Sequence, residues 1–147
     1  MDYSPIVNSV LAEIHSTFHA DPSLDLYGVT GPGPHSDWGT MQIWSPPVID
    51  NLTLAAFAHE AGHIATAQAM GDYAYKAMDQ IMREWLATQW GMTAIRRHGA
   101  KLTPAIETFL AEALWGYVTN LPYDVAHFVQ TSEYPKARNF LQSNLKE

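Results

Sequence analysis

The sequence predicts an α-rich α+β fold, with a small N-terminal sheet followed by a helical body. Three observations predict it. From Asp50 onward, apolar residues recur at helical spacing between cap and stop signals. Between Asp21 and Pro47 the chain changes character, and Gly28, Gly31, Pro32, Gly33, Pro34, Gly39, Pro46 and Pro47 mark loop and strand. Finally, 147 residues suit one domain, 1–147, and 47% hydrophobic against 16% charged residues supports a real core rather than a disordered chain.

The elements follow in order. Ser4 can cap a first helix and Pro5 suits its first turn. Ile6, Val7, Val10, Leu11, Ile14 and Phe18 continue it at helical spacing, and it is expected to end near Asp21-Pro22, because a residue before proline resists the helical region. Trp38 to Trp44 is the best strand, with Thr40, Gln42 and Trp44 alternating with Gly39, Met41 and Ile43; Leu24 to Val29 could be its partner. Asp50 or Asn51 can cap a helix running to about Met70, with Gly71 as its stop. A second helix lies within Tyr73 to His98 and stops at Gly99. A third begins at Thr103-Pro104 and ends near Asn120, before Pro122. Tyr123 to Gln130 and Pro135 to Leu145 read as short helices.

Composition narrows the chemistry. Fifteen acidic against eight basic residues give a charge of −7, which argues against binding nucleic acid. Arg96-Arg97-His98 with Lys101 is the only basic cluster, and a predicted helix C-terminus explains it. The absence of cysteine excludes a disulfide scaffold, an iron–sulfur cluster, a thiolate zinc site and a cysteine nucleophile. Any transition metal must be held by nitrogen and oxygen, and seven histidines leave that route open. The N-terminus reads as no secretion signal. The longest uncharged stretch, Trp38 to Ile49, contains two prolines and falls short of the ~20 residues that span a bilayer. The expectation is a cytoplasmic protein without membrane association.

The chemistry lies in His59-Glu60-Ala61-Gly62-His63. Residues four apart on a helix differ by only ~40° of rotation, so both imidazoles leave one face and can converge on one ion. Glu60 stands beside them, placed to take a proton from water at that ion. From this chain's own His and Glu frequencies, a chance match is expected in roughly one or two sequences per hundred. The uncharged flanks, Leu54 to Ala58 and Ile64 to Ala67, predict a buried helix, in which two histidines and a glutamate need a partner.

The segment Ala55-Ala56-Phe57-Ala58-His59-Glu60-Ala61-Gly62-His63-Ile64 resembles the active-site helix of the zincin metallopeptidases. Its pentad matches that of the FtsH-type membrane proteases, but this chain carries neither their ATPase module nor their anchor. Over about Trp38 to Met92 the plan is closer to the small ImmA/IrrE-type zincins. The resemblance implies a minimal zincin-like fold, a catalytic Zn2+ on His59 and His63, Glu60 as general base, and a protein or peptide substrate, often a repressor in that family.

A third protein ligand is then required. Thr66 and Ala69 stand where the metzincin extension needs glycine and histidine, which leaves Asp72, Asp79, Glu84, His98, Glu107 and Glu112. Glu84 is the first choice. Ala87, Thr88 and Gly91 share its helix face, and small residues there would let this helix approach the metal helix closely. The run also resembles the glutamate helix of ImmA/IrrE-type proteins. Length complicates the choice: His63 lies ~12 Å of helix before Gly71, and Glu84 ~20 Å after it. The check passes if Gly71 to about Lys76 is loop, or if the helices cross steeply; Asp79 fits a straight hairpin better.

His127, Tyr123 and Tyr117 are candidate donors to a developing oxyanion, although each has an ordinary packing role open to it. His35 could line the cleft or simply be exposed. The strand before the metal helix could pair with extended substrate or pack its tryptophans into the core. Two other functional classes stand beside the peptidase: a non-catalytic zinc-binding module and an interaction protein acting by binding alone. Because only ~80 residues follow the metal helix, substrate selectivity is expected to rest on a partner or a presented substrate.

Overall fold

The computed structural model describes residues 2–120 and 122–145, with the side chains of 120–124 outside that description. It is an α-rich α+β fold. The elements run α1 (Ser4–Ile14), β1 (Thr17–Ala20), β2 (His35–Asp37), β3 (Gln42–Ser45), α2 (Asn51–Met70), α3 (Asp72–Ala77), α4 (Gln80–Arg97), α5 (Pro104–Asn120), α6 (Pro122–Phe128) and α7 (Tyr134–Asn144). Among the described residues, no helix is long and apolar enough to cross a membrane.

The first helix is shorter than its periodicity predicts. His15 takes the left-handed conformation at φ 53°, which closes α1, and the Ser16 amide donates back to the Leu11 carbonyl at 3.0 Å. Phe18 therefore belongs to β1, where it meets Phe57 of α2 at 4.9 Å between ring centroids. Apolar spacing could not reveal this, because Phe18 is packed against the same core from either element. Ser4 is itself helical rather than the cap, and its amide donates to Asp2.

The three-stranded sheet has the order β1-β3-β2, with β1 parallel and β2 antiparallel to the central β3. The predicted strand Trp38 to Trp44 is divided. Trp38 to Met41 form the turn of a β2–β3 hairpin, with Met41 at φ 56°, and the pairing partner is His35–Asp37. Leu24 to Val29 is loop instead of strand. There the Asp25 carboxylate collects the amides of Tyr27, Val29 and Thr30, which holds the chain in a tight turn that no ladder could share. Ile43 faces α2; Trp44 faces outward, with the His19 and His35 rings stacked on its two sides.

Helix α2 starts and stops where its signals predict. Asp50 and Thr53 form a reciprocal capping box, and Gly71 closes the last turn. It is buried on nearly every face, as an apolar helix without a polar stripe must be. Helix α1 and the sheet cover one side, through Val7, Val10, Ile14 and Ile43. Helix α5 covers another, through Ile106 and Leu110. The predicted second helix breaks in two at Met78 and Asp79, both in extended backbone, so α3 turns the corner and α4 begins only at Gln80.

Helices α2 and α4 pack backbone against backbone. A Cβ on Gly62 would collide with the Ala87 carbonyl, and one on Gly91 would stand 2.9 Å from the Ala58 carbonyl. Each glycine receives the other helix. On an exposed helix, Gly→Ala gains about 1 kcal/mol from propensity alone. Here the added methyl must push α4 away, so Gly62→Ala is expected to destabilise the fold by about 1–3 kcal/mol, the usual cost of overpacking. Urea denaturation reads the sign directly, and a gain in stability would refute the close approach.

Candidate metal centre

The interlock places one face of α2 against one face of α4. His59 and His63 leave α2 a turn apart, and Glu84 comes from the second turn of α4. One Glu84 oxygen lies 2.9 Å from His59 Nε2 and the other 3.1 Å from His63 Nε2. Glu84, His63 and Glu60 are buried, and His59 is mostly so. Ligand atoms of His59, Glu60 and His63 also fall within 4.8 Å of one another. Of the two glutamates, Glu84 occupies the point where the imidazoles converge. Glu60 stands beside it, with Oε1 accepting a 3.0 Å hydrogen bond from Ser36 Oγ of β2.

The outer nitrogens of both imidazoles are held as well. His63 Nδ1 meets the Tyr75 hydroxyl at 2.7 Å, and His59 Nδ1 meets Thr88 Oγ1 at 3.2 Å. With Nδ1–H donating to these oxygens, each imidazole would turn an Nε2 lone pair inward once an ion replaced the direct contacts to Glu84, the tautomer that a metal ligand needs. Tyr75 is fixed by donating to the Arg83 carbonyl and by packing edge-on to Trp38 at 5.0 Å.

Charge in this pocket is strongly coupled. Burial alone would raise the Glu84 carboxyl; the His63 and His59 imidazoles outweigh it and hold the group well below the usual carboxylate range. Burial likewise opposes charge on His59, and the Glu84 and Glu60 carboxylates override it, raising the imidazole. Burial, then the Glu84 carboxylate, pushes the Tyr75 phenol up, so it remains a neutral hydroxyl.

These residues fit a divalent metal ion. Two imidazole nitrogens and one carboxylate form an open three-ligand set of hard and borderline donors. Ligands ~2.0–2.1 Å from a tetrahedral ion lie about 3.3 Å apart, so the present contacts need to open by only a few tenths of an ångström.

The other sequence candidates fall elsewhere. Asp79 sits at the N-terminus of α4 and faces His127 at 3.6 Å, which takes both out of the centre. His98 pairs with Glu13 at the far end of α4, next to Arg97. Glu107 and Glu112 lie on α5 and Asp72 opens α3; none is among the site contacts. His35 is exposed and donates from Nδ1 to the Gly33 carbonyl rather than lining the centre. Tyr117 does reach the cleft, sharing a cavity with His59, Glu60 and Glu84. Burial, then Glu84 and Glu60, pushes its phenol up to about 12. The side chain of Tyr123 lies outside the described residues.

Sequence reasoning missed Ser36 and Tyr75, which lie in a short strand and a short helix with no pattern of their own. Thr88 carried a usable signal, four residues after Glu84 on the same face.

No family model, curated protein or solved structure matches this chain.

Elemental analysis of the purified chain is expected to find about one equivalent of divalent metal, lost in His59→Ala and Glu84→Ala and kept in Asp79→Ala. Metal retained by Glu84→Ala would exclude Glu84 as a ligand. Tyr75→Phe removes the hydroxyl partner of His63, and competition titration with a chromogenic chelator should show affinity falling about 10–100-fold.

Proposed function

We propose that this protein is a zinc-dependent metallopeptidase acting on a protein or peptide substrate. One observation carries the reading: both oxygens of a buried glutamate meet the inner nitrogens of two histidines four residues apart, with a second glutamate alongside. In this reading His59, His63 and Glu84 hold the zinc, and Glu60 does not. The resemblance of the His59–His63 segment to the zincin active-site helix supports the same assignment.

When bound, zinc supplies Lewis acidity, bringing the pKa of water from about 15.7 toward ~7 and polarising the scissile carbonyl. Glu60 then has two tasks. Its carboxylate takes the proton of the attacking water and delivers it to the departing amine nitrogen. Ser36 occupies Oε1 and fixes the plane of the group, which leaves Oε2 available to carry that proton. Tyr117, still protonated at neutral pH, can donate its hydroxyl to the oxygen that gains charge.

The burial of Glu60, His63 and Glu84 favours a second reading, in which the ion merely staples α2 to α4. Glu60→Gln separates the two. In the peptidase reading this variant keeps its zinc, and its cleavage of unfolded casein falls by about 10²–10⁴-fold. Tyr117→Phe should lower kcat by about 10-fold or more with zinc content unchanged. Zinc-loaded wild type that cleaves no faster than Glu60→Gln would leave the staple.

A further inference from the structure

A cavity of about 390 Å³ opens directly onto the proposed reacting groups. His59, Glu60 and Glu84 form its floor. Its walls are Leu26 and Tyr27 from the loop joining β1 to β2, and Phe109, Leu110, Ala113 and Tyr117 from α5, with the Tyr117 hydroxyl a polar group among them. Among the described residues no lysine or arginine lines it, and the acids that do are the two glutamates of the floor. A pocket of this size with apolar walls and polar groups at one end is the usual form of a small-ligand or side-chain site.

The outer wall is built rather than draped. Asp25 accepts from the Tyr27 amide at 3.1 Å, from the Val29 and Thr30 amides at 2.8 Å, and from the Thr30 hydroxyl at 3.0 Å. Its own amide donates to the Pro32 carbonyl, closing the two limbs of the loop on each other. Gly33 allows this: a Cβ there would stand 3.1 Å from Gly28 Cα. From this frame the Tyr27 ring meets Phe109 edge-on at 5.7 Å, joining the loop to α5 across the cavity's outer side.

We propose that this cavity receives the side chain of a residue next to the cleaved bond, and that the substrate therefore carries an uncharged aliphatic or aromatic residue there. The inference rests on the peptidase reading above and specifies its substrate class. A charged side chain would lose its water against apolar walls and meet no countercharge, apart from two carboxylates already engaged. An apolar one gains burial within reach of Glu60.

The test uses the full zinc-loaded chain. Cleavage sites in a mixed peptide library are mapped by mass spectrometry, with Glu60→Gln as the blank. One position flanking the cut should be enriched at least fivefold in Leu, Ile, Met or Phe and depleted in Asp, Glu, Lys and Arg. Ala113 lines the cavity and is exposed to solvent, so A113F narrows the cavity without disturbing the core. It should lower kcat/KM for a leucine peptide by about 10-fold or more relative to the matching alanine peptide, at unchanged zinc content. Cuts without apolar enrichment, or a selectivity that A113F leaves alone, overturn the proposal while the peptidase reading stands. If no cleavage depends on Glu60, that reading fails and binding decides the pocket. Leucine hydroxamate should then raise the Tm of the zinc-loaded chain well above the rise from aspartate hydroxamate, and A113F should remove the difference. Equal shifts, or a chain that takes up no zinc, overturn the pocket as well.

Discussion

The site depends on how closely two helices can approach. A glutamate side chain is short, and Glu84 reaches both His59 and His63 because α2 and α4 meet at their backbones. The contact is reciprocal: Gly62 receives Ala87, and Gly91 receives Ala58. Donors and spacers alternate along the two facing stripes, Ala58, His59, Gly62, His63 on one and Glu84, Ala87, Thr88, Gly91 on the other. The residues that set the distance are thus interleaved with those that use it. The rest of the fold holds this seam together. Helix α1 and the sheet lie on one side of α2, and α5 bridges α2 and α4 on another.

Such a seam brings two carboxylates and two imidazoles out of water, and each needs a partner there. The partners come from three elements, α4, α3 and β2. Glu84 faces the imidazoles, Thr88 of α4 holds His59, Tyr75 of α3 holds His63, and Ser36 of β2 holds Glu60. The two smallest elements therefore have a definite physical task. The six residues of α3 bring one phenol under His63, and the three of β2 bring one hydroxyl over Glu60. Removing one member of such a network leaves another buried and unsatisfied, which ties the electrostatics of the centre to the stability of the fold.

What could be read from the sequence follows from this arrangement. The His59–His63 pair is local, since one helical turn defines it, and the capping box at Asp50 and the stop at Gly71 bound that turn. The helix α5 was legible for the same reason, with Thr103 and Pro104 at its start. Glu84 was legible at second hand, through the small residues sharing its face. The end of α1 was hidden, because Phe18 packs inward from strand as well as from helix. The break at Met78–Asp79 was hidden too: neither residue is a glycine or a proline, and tertiary packing turns the chain there. That break resolves the mismatch in helix lengths, since α4 starts afresh four residues before Glu84. Ser36 and Tyr75 contribute single hydroxyls from segments without periodicity, and only the assembled fold brings them to their partners.

On the peptidase reading, the loop between β1 and β2 bears on how a substrate could be selected. Loops are ordinarily the mobile part of a surface. This one spends a whole carboxylate on its own amides and rests Tyr27 against Phe109, so its wall stands before any peptide arrives. Ordering a loop during binding lowers affinity, whereas order established on folding does not. On the peptidase reading, the loop and α5 together give the substrate a preformed surface in the same cavity as Glu60.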